Sequence, residues 1–268
     1  MDFDFSEEEQ AISDLTRQIF EDKVTHEHLR TLENSANYFD KELWSSLAET
    51  GIVGASIHEE YGGAGLSFLS ITALLELVGE FAPRIPAMET IVMGALPIQK
   101  YGSSEQKTEI LPKIVSGETL ATAALLPSAP LTIKEGLLTG SVDLVPFGLE
   151  SDFILVPAGE GMYLVDLSQD GVSKSPRETT SGQQQTLLNF QGVKCDRLGT
   201  ASVEVITSWM RLRIDSAICS ILSGVCKASL DLAADYTKVR QQFNRAIATF
   251  QAVSQRAGDA YIDTEAVR

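Results

Sequence analysis

An α+β fold is predicted for this chain, with helices at both ends and a small β domain between them. Three observations lead there. Apolar residues recur at helical spacing in the first part of the chain. Short β-rich runs separated by Gly, Pro, Ser and Asp fill the middle. The helical period then returns after Ala201 in one long stretch. On this reading residues 1–120 form an N-terminal helical domain and residues 121–200 a middle β domain. Residues 201–268 form a C-terminal helical domain, the first half of a four-helix bundle.

Ser6, with Glu7, Glu8 and Glu9 behind it, reads as an N-cap followed by acids that complement the helix dipole. Ile12, Leu15, Ile19 and Phe20 continue that helix at its own period. A second helix is expected from about Asp40, with Leu43, Trp44 and Leu47 on one face and its end near Gly51. The run Glu59-Glu60-Tyr61-Gly62-Gly63-Ala64-Gly65 is too glycine-rich to hold a helix. An apolar helix follows from Phe68 to Gly79, and a shorter one runs from Ser103-Ser104-Glu105 to about Gly117. In the middle domain, 153–156, 162–165 and 187–190 read as strands of a small antiparallel sheet or barrel. Ile214, Ile218, Ile221, Leu222, Val225 and Leu232 then mark a helix of about 30 residues, a length that suggests a bundle. It reads as buried, breaks at Asn244, a residue that tolerates the left-handed conformation, and is followed by another helix from near Thr249.

Bulk properties narrow the function. Apolar content of 44% and charged content of 22% describe a chain able to build a core. The net charge of −16 argues against general binding to nucleic acid or anionic membranes. The acidic start does not read as a signal peptide, and no apolar stretch of about 18 residues is evident, so no membrane span is expected. Three cysteines do not make a disulfide framework. Cys219 and Cys226, seven residues apart on one helix, stand about 10 Å apart, too far to bridge. A reducing cytoplasm fits. His26 and His28 lack the further ligands a metal site needs, so none is expected.

Residues 240–251 carry the strongest chemical signal. A guanidinium, glutamines and two aromatic rings cluster around a helix break. Arg240 can grip a pyrophosphate with a planar fork, Phe243 or Phe250 can stack on a base, and Gln242 or Gln251 can meet polar edges. A plain helix–turn–helix whose Phe residues plug a core would use the same residue types.

The wider pattern resembles the acyl-CoA dehydrogenase family. Phe39-Asp40, Leu43-Trp44, Gly51, Glu59-Glu60-Tyr61-Gly62-Gly63 and Gly65 look like that family's N-terminal signature. Gly102-Ser103-Ser104-Glu105-Gln106-Lys107, Leu111-Pro112 and Gly117-Glu118 look like its linker into the β domain. Arg240-x-Gln242-Phe243 and Phe250-Gln251 look like its helical flavin motif. The resemblance implies α,β-desaturation of an acyl-CoA thioester with FAD. It also implies that Arg240 reaches across a subunit interface to a neighbour's pyrophosphate. Phe243 would pack on the adenine side, with Gln242, Phe250 and Gln251 supporting the same half of the cofactor.

Departures from the family pattern shape the expectation. Where the family carries Leu-Thr-Glu-Pro, this chain reads Ala123-Ala124-Leu125-Leu126-Pro127-Ser128. Where the family carries Trp-Ile/Val-Thr/Ser-Asn, it reads Leu144-Val145-Pro146-Phe147, and Pro146 has no N–H to offer a flavin. The family's glutamate base, which removes the substrate α-proton while hydride leaves to the flavin, has Met210 at one matching position. Its other known position lies beyond residue 268. No catalytic residue is therefore assigned. The second half of the bundle is expected from a longer chain or from a partner.

The chain thus resembles the degenerate subunit of the actinobacterial heterotetrameric steroid side-chain acyl-CoA dehydrogenases. That implies a homologous partner subunit in an α2β2 assembly, FAD shared across the interface, an acyl-CoA substrate and an electron-transfer flavoprotein-type acceptor. A self-sufficient homomeric dehydrogenase and a flavin-free acyl-CoA-binding or scaffold protein are the alternatives.

Overall fold

Helix starts follow the capping chemistry read from the sequence. In the computed structural model, which describes residues 5–35, 38–126, 130–180 and 182–268, helix α1 spans Glu7–Lys23. Ser6 Oγ accepts from Glu9 N at 3.2 Å and Glu9 Oε2 accepts from Ser6 N at 3.0 Å, closing a capping box. Helix α2 (His26–Glu33) is an addition to the sequence reading; its polar composition hid it. Asp40 caps α3 (Lys41–Glu49) through Leu43 N and also holds His28 Nε2 at 2.6 Å. Helix α4 runs Phe68–Phe81, two residues past the expected stop at Gly79.

A π-helical stretch, Met88–Ala95, leads directly into α5 (Leu96–Tyr101), and a second capping box at Ser103 and Gln106 opens α6 (Ser104–Val115). One continuous core joins these helices through Phe20, Trp44, Leu47, Leu74, Ile91 and Ile98.

The middle of the chain forms two four-stranded sheets. One has the order β1-β4-β5-β8, from Ala121–Ala123, Phe153–Ala158, Gly161–Asp166 and Asp196–Arg197. The other has the order β2-β3-β7-β6, from Thr132–Lys134, Leu137–Pro146, Gln185–Lys194 and Val172–Arg177. Strand pairing is antiparallel except for β1 beside β4. Strand β4 explains how the two cores meet. Its side chains alternate, so Ile154, Val156 and Ala158 enter the core between the sheets while Leu155 enters the helical core. A strand covered on both faces reads as an unbroken apolar run, as Phe153-Ile154-Leu155-Val156 does.

Helix α7 spans Val203–Val239, longer than expected, and α8 spans Gln251–Val267. Two expectations are corrected here. First, α7 does not lie buried: Ile206, Met210, Ala217, Ser223 and Gly224 are its buried residues, and most of the rest is exposed. Second, α7 holds an 18-residue window of mean hydropathy 1.5, so among the described residues one helix is apolar and long enough to cross a membrane by length and composition. The same cause underlies both. One face of α7 is spent on α4 and parts of its length on neighbouring elements, α8 among them, while Ile218, Leu222, Val225, Leu232, Tyr236 and Val239 stay exposed among the described residues.

The contact between α4 and α7 is unusually close. A β-carbon placed on Gly224 would overlap the Glu76 carbonyl oxygen, and one on Gly79 would overlap that of Ile221. Backbone thus meets backbone. Glu80 reinforces the crossing: Arg17 grips it from α1 with bonds of 2.9 and 2.8 Å, and Lys227 reaches it from α7 at 2.9 Å. Burial raises the Glu80 pKa, but the two cations outweigh that and hold it below the ordinary carboxylate value. Arg268 Nε pairs with Glu76 at 2.9 Å and ties the end of α8 to α4.

Gly224→Ala is expected to cost about 3 kcal/mol, because neither backbone can yield to the new methyl group. Gly258→Ala in α8, where a β-carbon meets nothing within 4 Å, should instead gain about 0.5–1 kcal/mol. Urea-unfolding midpoints of the two variants check both signs.

Candidate functional site

Helix α7 is capped by Arg240, whose backbone is fixed on both sides. Its N–H donates to Tyr236 O at 2.9 Å, and its carbonyl accepts from Ile247 N at 2.8 Å. The next residues make a hairpin: β9 (Gln241–Gln242) pairs antiparallel with β10 (Arg245–Ala246) across a two-residue loop. Phe243 and Asn244 occupy that loop at φ 52° and 62°. Both central positions of a type I′ turn require positive φ, which explains how the chain turns back so sharply after the helix has ended. A short 3₁₀ turn, Ile247–Thr249, then delivers Phe250 and Gln251 to the start of α8.

The structure thus brings Arg240, Gln242, Phe243, Phe250 and Gln251 into one projecting unit. Arg240 is exposed and forms no ion pair among the described residues. Phe243 is 89% exposed, and its ring meets Phe250 edge-on at 6.2 Å. Arg245 lies over the other ring partner, 4.0 Å from the Phe250 centroid, in a cation–π contact that the sequence reading did not assign. Gln242 Nε2 donates to Gln241 O at 2.8 Å, while Gln251 stays exposed. The Phe residues therefore do not plug this chain's own core. A bulky, exposed ring held at positive φ is strained, and strain of this kind points to use by something outside the fold.

The β layer is built differently. Strand β3 shifts register between Val142 and Val145, and Leu144 is thrown outward, 62% exposed at φ 54°. Pro146 offers only its carbonyl, which accepts from Thr122 Oγ1 at 3.0 Å. Phe147 turns inward, 3% exposed, against Tyr38 at 5.5 Å and Phe39 at 6.4 Å. An apolar ring thus stands next to the position where the family pattern has hydrogen-bonding groups. Of the Ala123–Ser128 segment, Pro127 and Ser128 lie outside the described residues. Met210, at the position considered for a base, is wholly buried among apolar residues.

Two features were not anticipated. A cleft of about 680 Å³ lies at the seam of the helical and β regions, walled by Tyr38, Arg84, Arg177, Thr179 and Gln183. Arg84 lies over the Tyr38 ring at 4.8 Å. Behind the cleft, Glu89 is a buried carboxyl in the π-helical stretch, 4% exposed, with burial pushing its pKa up to about 7. An acid inside the apolar run from Ile85 to Ile98 was the signal available in the sequence.

Family models for the acyl-CoA dehydrogenase N-terminal domain and C-terminal domain match residues 6–118 and 205–268. Among curated proteins, acyl-CoA dehydrogenase FadE27 of Mycobacterium tuberculosis is 32% identical over all of this chain and 75% of its own length. FadE28 of the same organism is 26% identical with the same coverage. Among solved structures, the ChsE4-ChsE5 complex of Mycobacterium tuberculosis superposes with a TM-score of 0.91 and 31% identity, covering 99% of this chain and 76% of that one. A Tcur3481-Tcur3483 steroid ACAD superposes with a TM-score of 0.89 and 33% identity, covering 97% and 74%.

The turn makes its own prediction. Phe243→Gly removes a left-handed strain of about 1–2 kcal/mol, offset by about 0.5–1 kcal/mol of glycine entropy, so stability should hold or rise slightly. Asn244→Val, which puts a branched β-carbon at positive φ, should lose about 1–2 kcal/mol and speed amide exchange at Arg245 and Ala246. Thermal melts with hydrogen exchange check both.

Proposed function

We propose that this chain, which belongs to the acyl-CoA dehydrogenase family, is the non-catalytic subunit of a heteromeric FAD-dependent acyl-CoA dehydrogenase. It contributes the Arg240 hairpin to FAD held mainly by a homologous partner, and the partner contributes the flavin cup and the glutamate. The acyl group is a bulky one, of the steroid side-chain class, and electrons leave to an electron-transfer flavoprotein-type acceptor. The free Cys195, Cys219 and Cys226 fit a reducing cytoplasm.

One observation carries the reading. From Ile218 onward, exposed Ile218, Leu222, Val225, Leu232, Tyr236 and Val239 follow alternating steps of three and four along α7, with Ser229 completing the series. That spacing is the seam by which helices pair, extending about 32 Å. It runs straight into the projecting hairpin, so a helix seated on it comes within reach of Arg240. Contiguous exposed apolar surface of this kind marks an interaction face. A homologous partner is favoured because the similar ChsE4-ChsE5 structure is itself a complex of two named chains.

The residues present fit one end of FAD and not the other. Arg240 offers an unpaired guanidinium suited to a pyrophosphate, and the Phe243–Phe250 pair offers ring surface beside it. FAD, when bound, supplies the hydride acceptor. This chain's own contribution is to grip and orient the cofactor's nucleotide end. On the β layer, Pro146 has no N–H and the Phe147 side chain is an apolar ring turned inward, so neither side chain offers a donor to the ring end.

The test is co-expression with a homologous subunit encoded beside it. The expected product is a yellow, active complex from which Arg240→Ala loses about 2 kcal/mol of FAD affinity, roughly 30-fold, measured by flavin retention on dialysis. Full retention in that variant contradicts the assigned role of Arg240. No complex with any homologous subunit, and no flavin, would leave the scaffold alternative.

A further inference from the structure

Glu89 is a buried acid for which the proposed chemistry has no use. It lies in the π-helical stretch Met88–Ala95, a wide helical form found mostly at functional positions. Its side-chain hydrogen bond crosses the seam to the β domain, from Gln183 Nε2 to Glu89 Oε1 at 3.4 Å. Gln183 is held in turn: Thr179 Oγ1 donates to its carbonyl oxygen at 2.8 Å, and Gln185 Nε2 donates to its Oε1 at 3.2 Å. Gln183 also walls the seam cleft, so Glu89 touches one of that cleft's walls from behind. Around this contact the seam is under-satisfied. Thr90 Oγ1, beside Glu89 on the helix, and Gln185 Oε1 and Thr186 Oγ1 on β7 are buried without hydrogen-bond partners.

We propose that Glu89 is a proton-linked latch of the seam between the helical N-terminal domain and the β domain. The seam closes while the carboxyl keeps its proton and loosens when the proton is lost.

The surroundings explain the direction. A carboxylate sealed in the interior loses its hydration, and one long amide contact replaces little of it. No charged group contributes to the shift, whose causes are burial first, then hydrogen bonds from its own backbone and Gln183. From the helical side the titratable neighbour is the Tyr38 phenol, itself raised by burial and carrying Arg84 over its ring. From the β side Gln183 and Gln185 are neutral, and the nearby cleft cation, Arg177, is paired with Asp143 at 3.1 Å. Glu150, which also acts on Tyr38, is itself an acid, and among the described residues no cation contributes to the Glu89 shift.

The sign follows from linkage. The folded chain keeps a proton that the unfolded chain releases near pH 4.5, so this group's stabilising effect is complete below that value and is lost by about pH 7. Between these limits the folded-to-unfolded ratio of wild type falls by up to about tenfold per pH unit relative to Glu89→Gln, which cannot ionise, and above about pH 7 the two run parallel.

The test measures unfolding equilibria of the purified protein and Glu89→Gln between pH 5 and 8, with amide exchange at 88–95 and 183–187. Wild type should show extra exchange at the seam at high pH, beyond the intrinsic base-catalysed rate, and the variant should not. Carboxyl ¹³C titration of wild-type Glu89 is independent of whether the variant folds, and Gln183→Leu should move that midpoint upward by removing a bond to the charged form. A Glu89 midpoint in the ordinary carboxylate range, or wild type and Glu89→Gln running parallel throughout, overturns the proposal. None of these readouts depends on bound flavin or on a partner's identity.

Discussion

The backbone-to-backbone crossing of α4 and α7 is the constraint from which the rest of the architecture follows. Glycine at 79 and at 224 lets two helices approach until carbonyl oxygens occupy the space where β-carbons would be. Glu80, gripped by Arg17 and Lys227, fixes the rotation of that crossing. With α7 set rigidly on the helical domain, its free length has nowhere to drift. Arg240 stands sixteen residues beyond Gly224, about 24 Å further along the axis. The hairpin is therefore displayed at a defined place and not trailed from a flexible tail.

Two regions of the molecule tell the same story from opposite directions. At the hairpin, Arg240 and Phe243 are turned outward, and Phe243 accepts a left-handed backbone to stay there. In the β layer Phe147 turns inward against Tyr38 and Phe39 and Pro146 cannot donate, and on α7 Met210 is sealed in the helical core. The first arrangement suits recognition of something held elsewhere. The second suits a surface that no longer addresses a redox ring. Both accord with a chain whose chemistry is completed by a neighbour.

Much of this was legible in the sequence, and the exceptions share a cause. Capping residues such as Ser6 and Ser103 act on their own neighbours, so their helices could be placed accurately. The left-handed backbone of Asn244 was readable for the same local reason, although it sits in a hairpin turn beyond the helix end at Val239 and not at the helix break itself, and so was the strand at 153–156. What depended on distant partners was not. Gly79 looked like a helix stop, but it is a contact point with Ile221, and the helix runs on past it. Apolar composition in α7 was taken as burial, whereas it records a need for cover without saying what supplies it. The π-helical stretch has no sequence signature of its own; only Glu89, an acid within a mostly apolar run, marked the place. At the candidate site, the residue types around Arg240 were evident, but the Arg245–Phe250 contact and the Glu89 seam emerged only from the fold.

The central claim is that this polypeptide grips the nucleotide end of a cofactor whose reactive end lies in another chain. Flavin stoichiometry of the correctly folded protein purified alone, by absorbance after denaturation, tests it most directly. The account predicts essentially no bound FAD. One equivalent of tightly held FAD per chain, in the absence of any other subunit, would contradict it.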